Sequence, residues 1–234
     1  MKTGGVILKK NIRQKHIWLI ALYGIFYLIG FRILEKNITK GYHEIHMPLD
    51  DTIPFCEFFI IPYFLWFFYI AVTVIYFTFF QEEVREYYQL MISLAIGMTL
   101  FLIISWLYPN GQNLRPVVFE RKNLFVDLVR HLYQIDTPTN ILPSIHVYNS
   151  VVCYLAIDRC KALKKYKAVR QGALVLTVLI VLSTMFLKQH SVFDVTCALV
   201  LNAVVYFALY QPKEQIQAEQ RVDGRKVRKK VFGH

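Results

Sequence analysis

The sequence predicts an all-α fold: an integral membrane bundle of six transmembrane helices with both termini in the cytoplasm. Three observations carry that expectation. Hydrophobic residues make up 56% of the 234, with 18 Phe and 15 Tyr, and mean hydropathy is +0.38. The apolar residues fall in long runs, several near the roughly 20 needed to cross a hydrocarbon core of about 30 Å. The lysines and arginines gather on alternate connections between those runs. A soluble helical core would show one polar face per helix, and these runs have none.

The first run covers residues 17–34, with Arg32 at its outer end. Basic residues precede it, as in a signal peptide, but it is too long for one and lacks a small-residue cleavage site, so it reads as a retained anchor. The second, 58–80, and the third, 87–107, carry no charge. The fourth, 141–157, contains His146; the fifth, 172–187, is short; the sixth, 190–210, contains His190 and Asp194. Residues 1–210 thus form one membrane domain, and 211–234 form a basic cytoplasmic tail.

Cationic residues set the orientation. Five lie in the N-terminal arm, one in the second-to-third loop, six in the stretch DRCKALKKYKAVR and seven in the tail, leaving eight of the 27 for the other side. The net charge of +11 is then a feature of the inner surface, and nucleic-acid binding is not needed to explain the tail. The four cysteines show no paired or CxxC spacing, which argues against a disulfide framework or a zinc site. The triplet NIT at Asn37 is a glycosylation acceptor only in a host that glycosylates there. Oligomeric state is not legible, and a homo-oligomer stays open.

With that topology the outer side collects the unusual polar residues: YPNGQNLRP with Arg115, LPSIH with Ser144 and His146, and KQHSVFD with Lys188, His190 and Asp194. Pro143 suits the first turn of a helix that Asn140 or Ser144 caps, and the free N–H groups there make an anion site. His190 and Asp194 stand one turn apart, so the carboxylate can hold one imidazole nitrogen and leave the other as base or nucleophile. Arg115 offers a fork suited to phosphate oxygens. Together they suit phosphoryl transfer. A metal centre of two histidines and an aspartate is the rival reading, but it lacks a third convincing ligand, and Arg115 would repel a cation.

At these residues the chain resembles the type 2 phosphatidic acid phosphatase and haloperoxidase superfamily, whose pattern is K-x6-R-P, P-S-x-H and S-R-x5-H-x3-D. The second part is complete in Pro143, Ser144, Ile145 and His146. The third runs from Ser183 to His190 and Asp194, with Thr184 in place of the arginine. The first ends in Arg115 and Pro116, with Tyr108 in place of the lysine. The resemblance implies that His190 attacks phosphorus, Asp194 orients it, His146 protonates the leaving alkoxide, and Arg115 and Ser144 hold phosphate oxygens, with no metal or cofactor. Lys188 would replace a missing cation, with Arg121 and Lys122 as further candidates. DDTIPFCEFFIIPY (Asp50, Asp51, Ile53, Pro54, Phe55, Pro62 and Tyr63) also resembles a segment of membrane members related to sphingolipid head-group synthases.

The expected function is that of a plasma-membrane lipid phosphate phosphatase with its site on the extracytoplasmic side, taking a phospholipid or lipid phosphate from the bilayer. Two missing cations favour the alternative of a phosphodiester head-group phosphotransferase. A non-catalytic lipid-binding or transport protein on the same fold is the alternative of another class.

Overall fold

In the computed structural model, residues 3–38 and 41–210 are described, with side chains from residue 17 onward. The side chains of the N-terminal arm, Thr39 of the NIT triplet and the tail 211–234 lie outside the described residues.

The described residues are mostly helical. Six long helices make the bundle: α1 (Thr3–Asn37), α3 (Ile60–Ile75), α4 (Val84–Leu107), α6 (Ile145–Arg159), α7 (Lys167–Phe186) and α8 (Val192–Tyr210). Two short helices, α2 (Pro48–Thr52) and α5 (Leu124–Ile135), lie in the connections at one end. There β1 (His43–Glu44) pairs in parallel with β2 (Asn110–Gly111), and Gly111 bridges to Thr139. α3 is preceded by a single 3-10 turn and ends in a wide π turn over Tyr76–Phe80.

Five segments are long and apolar enough to cross a membrane: Ile17–Asn37, Glu57–Phe80, Val84–Leu107, Lys167–Phe186 and Val192–Tyr210. Their outward faces are apolar, with Trp18, Phe26, Phe68, Leu107 and Phe207 well exposed. So extensive an apolar surface belongs in lipid. The fourth run differs. Its helix, α6, has 15 residues, a length of about 22 Å. It sits at the centre, packed against α3, α4, α7 and α8. Val147, Tyr148, Val152, Cys153 and Ala156 are all buried around it, as expected for a helix with neighbours on every side.

The helix starts depart from the sequence expectation: α1 begins at Thr3, fourteen residues before its apolar run, and three other starts have identifiable local causes. α7 begins at Lys167, five residues before the apolar run, because Lys, Ala, Arg and Gln are good helix formers and extend it into polar surroundings. α8 begins at Val192, so His190 lies in the turn before the helix. α6 begins at Ile145 with Ser144 as its N-cap, so Pro143 stands outside the helix rather than in its first turn.

Several polar groups inside the bundle return to backbone carbonyls. Thr73 Oγ1 donates to Tyr69 O, Ser93 Oγ to Gln89 O, and Asn202 Nδ2 to Ala198 O and Tyr148 O. In a setting without water this satisfies donors that would otherwise be costly.

Candidate active site

The three polar stretches meet at one end of the bundle, and specific hydrogen bonds bring them together. Asn110 Oδ1 accepts from the N–H groups of Ile141 and Leu142, at 2.9 and 3.0 Å, tying the long loop to the entry of α6. Gln112 Nε2 donates to Lys188 O at 2.9 Å, tying the same loop to the α7–α8 turn. Ser144 N donates to Asp194 O at 3.3 Å, joining the N-termini of α6 and α8.

The α7–α8 turn is tightly determined. The N–H groups of Gln189 and His190 both return to Thr184 O, at 2.9 and 3.0 Å. Lys188 has φ of 52°, in the left-handed region that a residue with a Cβ enters at a cost. Its Nζ donates to Asp50 O at 2.6 Å. The Asp50 carboxylate accepts from Ser191 Oγ at 2.6 Å, Val192 N at 2.8 Å and Met47 N at 2.8 Å. Asp50 is 2% exposed. The N-terminus of α8, with its unpaired N–H groups and positive dipole end, is therefore already matched by a carboxylate of the chain itself.

The turn presents His190 to a fully buried Asp194. His190 Nδ1–H donates to Asp194 Oδ2 at 2.5 Å. That fixes the tautomer and leaves the lone pair on Nε2, which faces His146 Nδ1 at 3.4 Å. The two rings are 5.5 Å apart, centroid to centroid, and inclined at 62°. His146 is gripped by α3: Tyr63 stacks on it at 4.7 Å and Trp66 lies at 4.4 Å. Ser144, fully buried, caps α6 by accepting from Val147 N at 3.4 Å.

Arg115 joins through Gln189. Its Nη2 donates to Gln189 Oε1 at 2.5 Å and Thr137 O at 3.2 Å, its Nη1 to Asp136 O at 2.8 Å, and its guanidinium lies 4.5 Å over the Tyr133 ring. Burial lowers the Arg115 pKa, opposed chiefly by Asp136, whose carboxylate lies 3.9 Å away. Burial likewise raises Asp136 to about 6, with Glu35 pushing the same way and Arg115, His190 and a hydrogen bond from Tyr63 opposing.

The sequence candidates thus divide. His190, Asp194, His146 and Ser144 converge, and Arg115 reaches them by way of Gln189. Lys188 adjoins His190 in the chain, but its ammonium is turned onto Asp50. Arg121 pairs with the buried Glu57 at 3.2 Å, and Lys122 is exposed. Tyr108 stacks on His43 at 4.3 Å, and Ser183 and Thr184 donate to carbonyls of their own helix. Sequence reading missed the roles of Gln189, Asp136, Trp66 and Asp50; the last two lie in or near segments singled out for other reasons. Among the described residues no three His, Cys, Asp or Glu side chains group as metal ligands.

Below His146 lies an apolar cavity of about 820 Å³ between α1, α3 and α4. Trp66 lines it and packs on His146; Ile145 and Asn149 close it from α6. From Trp66 to Val74 it follows α3 for about 12 Å, close to the depth of one leaflet's hydrocarbon, about half of 30 Å.

No family profile, curated protein or solved structure matches the chain.

Proposed function

We propose that the protein cleaves phosphate esters of membrane lipids through a phosphohistidine on His190, acting as a metal-independent lipid phosphate phosphatase. The observation that carries this reading is the Asp194–His190–His146 array, with Asp194 and His190 buried, placed over an apolar cavity of leaflet depth.

The chemistry follows from the geometry. A phosphoryl group enters by parting the two imidazoles. The His190 Nε2 lone pair forms a bond to phosphorus while the P–O bond to the lipid breaks. His146 gives its Nδ1 proton to the departing alkoxide. Asp194 stabilises the imidazolium character that develops on His190. In the second step His146 takes a proton from water, the oxygen attacks phosphorus, and the P–N bond breaks to release phosphate. Arg115 and the N–H groups at the start of α6 balance charge on the phosphoryl oxygens.

In the membrane setting that goes with this reading, all six long helices cross the bilayer, α6 with the help of the buried segment before it. Both termini face the cytoplasm, and the histidines open to the extracytoplasmic side of the plasma membrane. The separation of cationic residues between the two ends supports this orientation.

A second reading has its own observation. Lys188 and Arg121 are turned away onto Asp50 and Glu57, which leaves Arg115, itself beside a carboxylate, as the cation next to Gln189. A monoester carries nearly two charges near neutral pH and a diester one. This favours a head-group phosphotransferase in which a lipid hydroxyl replaces water in the second step. Reconstituted protein is to be given phosphatidate labelled in the phosphate, and separately a labelled phospholipid with a diacylglycerol or ceramide acceptor. Free phosphate from the first supports hydrolysis; label moving to the acceptor without phosphate release supports transfer. Turnover that survives His190→Ala would remove both.

A further inference from the structure

Among the buried donors with no partner among the described residues are Arg115 Nε and Gln189 Nε2. They belong to side chains already joined, since Arg115 Nη2 donates to Gln189 Oε1. Gln189 is 2% exposed and immediately precedes His190. Guanidinium and amide N–H groups donate and do not accept, so what completes them is an acceptor oxygen. The Asp136 carboxylate also stands 3.9 Å from Nη2. Asp136 is faced by Glu35 from α1, Tyr63 from α3, Arg115 from the long loop and His190 from the α7–α8 turn.

We propose that Arg115 Nε and Gln189 Nε2 form a seat for a phosphoryl oxygen beside His190, and that Asp136, by matching the guanidinium charge, selects phosphoryl groups of single negative charge, the phosphodiesters of membrane lipids. This rests on the phosphohistidine step shared by both readings and, within it, sides with the phosphodiester substrate of the second reading over the monoester of the first. The arginine binds through shape and hydrogen bonds, while Asp136 offsets its net charge. Gln189 supplies a neutral donor where a second cation would favour the dianion of a monoester. The other basic side chains nearby do not restore that charge, because Lys188 and Arg121 have partners of their own.

The test uses the full chain in detergent at pH 8, where Asp136, raised to about 6, is ionised and inorganic phosphate is largely a dianion. Two quantities are measured: calorimetric affinity for inorganic phosphate, and the ratio of kcat/KM for a short-chain phosphatidate to that for a short-chain phosphodiester lipid. Asp136→Asn unmasks the arginine and is expected to tighten phosphate and raise the ratio, each by about tenfold. Asp136→Glu is expected to restore wild-type values. Gln189→Glu keeps an oxygen toward Arg115 but replaces the free amide donor, and is expected to weaken phosphate binding below wild type and below Asp136→Asn. The proposal is overturned if Asp136→Asn lowers both substrates equally, leaves the ratio unchanged or fails to tighten phosphate, or if Gln189→Glu binds phosphate as wild type does. If wild type turns over neither ester, the phosphohistidine reading fails, and the phosphate affinities of the three forms still decide the seat.

Discussion

Asp194 holds His190 through one short hydrogen bond from Nδ1, so removing its charge while keeping its shape isolates its role. Asp194→Asn is expected to lower kcat by about 10²–10⁴, because the amide no longer fixes the tautomer or stabilises the imidazolium; kinetics on a soluble phosphate ester would read this directly. His146 is separable by leaving group. With an alkyl ester, His146→Asn should cost about 10²–10⁴ in kcat. With a p-nitrophenyl ester, whose leaving group needs no proton, the first step should be nearly unaffected. Equal losses on both would argue that His146 is a packing residue of Tyr63 and Trp66. Asp136 gives a pH dependence of stability. Its pKa is raised from an ordinary 3.8 to about 6 in the folded state, so the folded protein binds more protons than the unfolded one between those values. Its contribution is favourable below about pH 4 and is lost as pH rises through 6, by about 1–3 kcal/mol after allowing for partial exposure. Asp136→Asn should remove that slope in unfolding measured across pH 4–7. At this scale the sequence was informative where spacing is local: His190 and Asp194 are one turn apart, and Ser144 and His146 share the entry of α6. Gln189, Asp136 and Tyr63 act through space, and no local spacing marks them.

The elements depend on two devices that composition does not reveal. The first is Asp50, whose carboxylate caps α8 from a different part of the chain. Asp50→Ala strips partners from Ser191 Oγ and the N–H groups of Val192 and Met47, and is expected to cost about 2–4 kcal/mol and to loosen His190, two residues from the cap. Thermal unfolding and kcat should fall together. The second is Gly97 in α4. A Cβ there would lie 1.9 Å from the Tyr148 ring, which is buried and fixed by donation from its hydroxyl to Ser93 O at 2.8 Å. Alanine gains up to about 1 kcal/mol of helix propensity but overpacks the α4–α6 contact by about 1–3 kcal/mol, so Gly97→Ala should lower the unfolding temperature. The uncharged runs announced α3 and α4 within a few residues at each end. The starts of α6 and α7, four and five residues from the expected ones, were less legible, since a cap and polar helix formers, not hydropathy, decide where those helices begin.

Across the whole molecule, the alternation of helix directions brings three stretches far apart in sequence to one end, with the cationic 160–166 connection at the other. Single cysteines in a background lacking Cys56, Cys153, Cys160 and Cys197 would test the orientation. Val117→Cys, at a position 96% exposed near the site, should react with an impermeant maleimide in intact cells, and Lys164→Cys only after permeabilisation. The reverse pattern would place the histidines in the cytoplasm. The sequence supplied the helical membrane class and the end at which the three polar stretches meet. It did not supply the cavity between α1, α3 and α4, because the residues lining it are mostly apolar in a chain whose residues are 56% hydrophobic.

On the proposed mechanism, His190 becomes covalently phosphorylated. Protein mixed with a substrate labelled in the phosphate, quenched within milliseconds in alkaline denaturant and mapped by peptide, should carry acid-labile label on His190. The label should be absent in His190→Ala and should accumulate in His146→Asn with a p-nitrophenyl ester, where attack proceeds and hydrolysis is slowed. Substrate turnover with no label on His190 under any of these conditions would contradict the account.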